Sequence, residues 1–74
     1  MNEQIVTIDA RGLEPPQPLV RILEAVSQLS EGGELRAYTD RRPMHLYPLL
    51  QDRGFIAETE EATDGGGFVT YIHH

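Results

Sequence analysis

Hydrophobic and polar positions along the chain change period several times, and each change marks a new element. Ile5-Val6-Thr7-Ile8 is a β-branched run closed by Asp9-Ala10-Arg11-Gly12, which predicts a strand over 4–9 ending in a turn. Pro15, Pro16 and Pro18 follow. Proline is accepted in the first turn of a helix and not deeper, so they place a helix start near Pro16–Pro18. Leu19, Ile22, Leu23, Val26 and Leu29 then recur at spacings of three and four and form one apolar stripe, and Gly32-Gly33 is expected to stop that helix. Glu34–Thr39 alternates with period two and reads as a second strand.

Asp40-Arg41-Arg42-Pro43 marks a turn into a second helix whose buried side is expected to come from Leu46, Leu49 and Leu50, helped by Met44 or Tyr47. Pro48 conflicts with a regular helix from Pro43. Either the helix kinks there, or it begins as a loose turn and becomes regular only near Pro48. Gly54 ends it, Phe55–Glu60 forms a third strand, Thr63–Gly67 a flexible turn and Phe68–His73 a fourth strand. The predicted order is β-α-β-α-β-β. A strand, helix and strand in succession call for a right-handed crossover with parallel pairing, and the last two strands are close enough to form a hairpin. Both helices should cover one face of a mixed four-stranded sheet, an α/β fold of the two-layer α+β sandwich kind. In the fourth strand Phe68 and Ile72 share one face and Val69, Tyr71 and His73 the other. Both sets are substantially apolar, so the pattern leaves open which faces the helices.

Length confines this to a single domain over 1–74, since 74 residues build only one small core. With no cysteine, the chain has no disulfide, no thiolate nucleophile and no sulfur ligand for zinc. Twelve acidic residues against six basic ones give a net charge of −6, which disfavours general binding to nucleic acids or anionic membranes. No apolar run approaches a membrane span, and the polar start Met1-Asn2-Glu3-Gln4 does not read as a secretory signal. A cytoplasmic location is the expectation.

The stretch Ile8-Asp9-Ala10-Arg11-Gly12-Leu13-Glu14-Pro15-Pro16-Gln17-Pro18-Leu19 resembles the signature of the TusA/SirA-like sulfur-carrier superfamily, in which an acidic residue and a Gly-Leu pair precede Cys-Pro-x-Pro at the start of the first helix. The resemblance continues through Gly33-Glu34, Thr39-Asp40 and Gly54. It implies the same β-α-β-α-β-β sandwich, with sheet order 1-2-4-3 and the fourth strand antiparallel to the rest. Pro15 stands where those carriers have cysteine, and its carbon ring can neither form a thiolate nor hold a persulfide. Pro15-Pro16 and Pro43-Met44-His45-Leu46-Tyr47 look closer to a cysteine-less branch catalogued as a domain of unknown function, in which Asp-His-Asp-Pro precedes a Leu-Tyr pair. Here that segment reads Asp40-Arg41-Arg42-Pro43, with Arg41 at the histidine position. Relatives of the branch sometimes accompany hemerythrin-like or nitrogen-oxide metabolism proteins.

Parallel pairing of the first two strands sets the loops after them side by side, at the end of the sheet where open α/β folds bind ligands. Arg11 from one loop and Arg41 and Arg42 from the other could converge there beside two helix N-termini, which favour anions. The plainer reading is that Arg11 and Arg42 pair with Asp9, Asp40 or Glu14 as surface ion pairs. Asp9 and Asp40 could approach as a carboxylate pair, although Asp40 is also placed to cap the second helix. His45, His73 and His74 supply no metal-ligand spacing, so neither a metal site nor a cofactor is expected. His73 and His74 read equally as native residues fraying at the end or as the remnant of an affinity tag. Tyr38, Tyr47 and Tyr71 offer aromatic area for an interface or for the core.

These observations lead to a non-catalytic TusA-like module that binds a protein partner or a small anionic ligand at the starts of its two helices, through Arg11, Arg41, Arg42, Glu14, Pro15 and Gln17. It is expected to be a monomer or weak homodimer and not itself a sulfur carrier. The alternative is an accessory carrier or enzyme component in sulfur or nitrogen-oxide metabolism that uses a bound metal or a partner's thiol. A third possibility is a structural domain that dimerises through the open sheet face.

Overall fold

The structure is a computed structural model that describes residues 4–74; the start Met1-Asn2-Glu3 lies outside them. The elements run β1 (Ile5–Asp9), α1 (Gln17–Ser27), β2 (Glu34–Thr39), α2 (Leu46–Asp52), β3 (Ile56–Glu61) and β4 (Phe68–His73). They form one mixed sheet of order β1-β2-β4-β3. β1 pairs parallel with β2, while β4 lies antiparallel to both β2 and β3. This is the predicted topology.

Both helices cover the same face. Ile22 and Val26 from α1 and Leu46 and Leu50 from α2 are buried in one cluster with Leu35, Ala37 and Ile72 from the sheet. In β4 the register places Ile72 beside Leu35 and Thr70 beside Ala37, so Phe68, Thr70 and Ile72 face the helices and Val69, Tyr71 and His73 the open side. Thr70 is fully buried, yet its hydroxyl lies 2.9 Å from that of Thr59, which in turn accepts the Tyr47 O–H. That chain satisfies the polar groups inside the sandwich.

Three local expectations change. The first helix closes at Ser27, before Gly32-Gly33, because the Gln28 and Leu29 N–H groups turn back to the Ala25 and Val26 carbonyls and tighten the last turn. Gly33 instead marks a close approach: a Cβ there would meet the Ser30 and Gln4 carbonyl oxygens at 2.9 and 3.2 Å. Second, α2 begins only at Leu46, so Pro48 sits in its first turn, where its missing N–H costs nothing. Of the two readings of Pro48, the late start is the one observed. Third, the buried side of α2 is Leu46 and Leu50 with half-buried Tyr47. Leu49 is exposed, and Met44 precedes the helix with 61% of its surface in solvent. At the end of the chain His73 belongs to β4 and His74 stacks on Phe55 with ring centroids 4.4 Å apart.

Candidate functional site

The loops that follow β1 and β2 lie side by side and are bonded to one another. The Gly12 N–H donates to Asp40 Oδ2 at 2.7 Å, and within the second loop the Thr39 hydroxyl donates to the Arg41 carbonyl at 2.7 Å. Each loop feeds a helix. Between the two helix starts runs an open groove of about 780 Å³. Leu13, Pro15, Pro16, Pro18 and Leu19 form one wall, and Pro43, Met44 and Leu46 are prominent in the other. The prolines that delay each helix thus also leave an apolar cleft, because a proline-rich entry exposes ring carbons and few backbone donors.

Of the residues singled out in the sequence, Glu14, Pro15, Arg41 and Arg42 line this groove, whereas Arg11 and Gln17 do not. Arg11 turns to the open sheet face. Its Nε and Nη2 bond both oxygens of Asp9 at 2.9 and 2.8 Å, while Nη1 reaches Asp64 at 2.9 Å and the Gly66 carbonyl at 3.0 Å. The guanidinium also lies over the Tyr38 ring, 4.9 Å from its centroid. These hydrogen bonds hold the Asp9 carboxyl down at about 2, lower Asp64 as well and raise Arg11. The three arginines therefore do not converge, and for Arg11 the plain ion-pair reading describes the geometry. Arg42 makes a different set of contacts: its Nη1 donates to the Thr59 carbonyl at 3.3 Å and its guanidinium lies 5.0 Å from the Phe68 ring centroid. Arg41 has no side-chain hydrogen bond or ion pair among the described residues.

Asp9 and Asp40 do not form a carboxylate pair, since Asp9 is taken up by Arg11 and Asp40 by Gly12. Nor does Asp40 cap the second helix, whose N-cap is His45 without a side-chain bond. The helix starts are poor in free donors. Pro16 and Pro18 have no N–H, that of Gln17 donates to the Glu14 carbonyl at 2.8 Å and that of Val20 to Pro16 at 3.1 Å. At α2 the Leu46 N–H goes to Pro43 and Pro48 has none. Among the described residues no three histidine, aspartate or glutamate side chains gather as a metal site, and no helix is long and apolar enough to cross a membrane.

Sequence reasoning missed Leu13, Pro43 and Met44 as groove residues. They belong to no periodic stripe; the one available signal was an apolar residue, Met44, directly after a proline in a polar turn.

A family model described as an uncharacterized conserved protein, DUF2249, matches residues 7–74. No curated protein matches the chain. The crystal structure of the SirA-like protein from Desulfitobacterium hafniense superposes with a TM-score of 0.69 at 25% identity, over 90% of this chain and 92% of that one. With the family model running from Thr7 to the last residue, this chain belongs to the DUF2249 family and has the SirA-like fold.

Proposed function

We propose that this protein is a non-catalytic docking module that binds a partner protein in the groove between the starts of α1 and α2, and that it is not itself a sulfur carrier. The observation that carries this reading is the groove's apolar lining, with Met44 61% exposed at its edge. An exposed apolar side chain beside an apolar cleft gains by being covered, at roughly 25 cal/mol per Å² removed from water. Pro15 supports the second half of the claim, since it lines the groove at the position where the resembling carriers have cysteine and offers only ring carbons.

A small inorganic anion is the weaker occupant. Two prolines and two internal bonds consume most first-turn donors of α1, Glu14 stands on the same wall, and Arg11 is spent on Asp9 and Asp64. The open sheet face fits a monomer or weak homodimer, with Ile5 and Ile56 exposed on its two edge strands. Arg11 covers Tyr38 and Arg36 covers Tyr71, with guanidinium distances of 4.9 and 5.6 Å, so the aromatic area there is already roofed.

The test is capture from the source cell with the wild-type chain, Met44→Glu, and Val20→Glu as a control at an exposed site on α1 that does not line the groove. Partners retained by wild type and by Val20→Glu but lost with Met44→Glu support the reading. An identical set with all three overturns it. Titration of phosphate, sulfate and thiosulfate should leave the amide shifts of Gly12–Leu19 and Arg41–Met44 unchanged, and saturable shifts there would favour an anion.

A further inference from the structure

Resting on the reading that the groove docks a partner protein, we propose that the segment it takes is acidic as well as apolar, with an apolar side chain for the cleft and a carboxylate for Arg41 and Arg42. The chain spends its arginines unequally. Arg11 and Arg36 are matched, with carboxylate contacts at 2.8 and 2.6 Å. Arg41 and Arg42 have no carboxylate within ion-pair distance among the described residues. Four of the six arginines, Arg21, Arg41, Arg42 and Arg53, have no ion pair among the described residues, and of these only the adjacent Arg41 and Arg42 line the apolar groove.

The groove's own carboxylates offset them only in part. Asp40 receives the Gly12 N–H at 2.7 Å, and Glu14 lies on the α1 side, across from the arginines. Two arginines against the one carboxylate of Asp40 leave the loop toward α2 net basic, while Glu14 makes the α1 side acidic. This orients a bound segment with its carboxylate toward α2. Arg42 is partly ordered in advance: Phe68 beneath it and the Thr59 carbonyl beside it fix its plane, and the rest of its donor fork is unspent. A guanidinium held in this way gives up less side-chain freedom on gripping a carboxylate than a free one. Arg41, exposed and without such contacts, supplies the second charge at the rim.

The experiment is selection of short random peptides displayed against the full chain. Enriched peptides should carry Asp or Glu beside an apolar residue and shift the amides of Leu13–Leu19 and Arg41–Leu46. Their affinity should fall roughly tenfold or more with Arg41→Glu, a change at a side chain with no contact to lose, and weaken with added salt. Reselection against Arg41→Glu should turn toward Lys- or Arg-bearing peptides. Enrichment of peptides without acidic residues, shifts mapping elsewhere, or no enrichment overturns the proposal. In cell capture, loss with Met44→Glu but not with Arg41→Glu would leave the docking site standing and overturn its acidic preference. Capture indifferent to both changes would remove the docking site itself.

Discussion

The Asp40 carboxylate accepts the Gly12 N–H at 2.7 Å, joining two loops that are 28 positions apart in the chain and that each lead into one wall of the groove. The bond extends the β1–β2 pairing, which continues through the Ala10 N–H to the Tyr38 carbonyl at 2.8 Å, into the two loops. Asp40→Ala leaves Gly12 to water and should cost about 1 kcal/mol in denaturant unfolding. It should also move the amide shifts of both loops together. Asp40→Asn keeps an acceptor oxygen and should retain most of the stability. Equal behaviour of the two variants would show that the bond contributes nothing.

The Arg11 ion pairs predict an acid limb in stability. Asp9 is held at about 2 against an ordinary 3.8, and Asp64 is lowered as well. Between those values the unfolded chain binds more protons than the folded one, so stability rises with pH there. The contribution is whole above 3.8 and is lost as pH falls through about 2. Arg11→Gln returns both carboxyls toward ordinary values and should flatten this limb, as read by thermal unfolding across the acid range. An unchanged pH profile in Arg11→Gln would contradict the assignment.

Gly67→Ala should be among the most damaging single changes. Gly67 has φ of +97°, and a Cβ there would drive into the Thr39 carbonyl oxygen and lie 3.2 Å from the Asp40 Cα. Both neighbours are backbone and cannot swing aside. The turn before β4 would have to back away from the loop that carries Arg41 and Arg42. A loss of several kcal/mol is expected, of order 2–4, together with shifts at Asp40 to Met44. A variant as stable as wild type would show that the turn is not packed as described.

Much of this fold was legible in the residues. The β-branched run at Ile5–Ile8 and the alternation of Glu34–Thr39 marked their strands to within a residue, because one face of each strand meets the core. The two faces of β4 were not legible, since Phe68, Val69, Tyr71 and Ile72 are all apolar or aromatic. The choice depends on partners far away in the chain: Thr70 finds Thr59, and Tyr71 is covered by Arg36. At the site, the loop positions of Arg11, Arg41 and Arg42 could be read but the direction of Arg11 could not. It is turned outward by Asp9 two positions back and by Asp64, 53 positions on. The groove itself is formed by Leu13, Pro16 and Met44, whose proximity exists only once both loops are joined.

The most direct test of the docking site places a photo-activated crosslinker at position 44, and in a second variant at position 20, within the source cell. Crosslinks to a defined protein from position 44 and none from position 20 are the predicted result. Crosslinks from position 20 alone, or none from position 44, would contradict a partner site between the starts of the two helices.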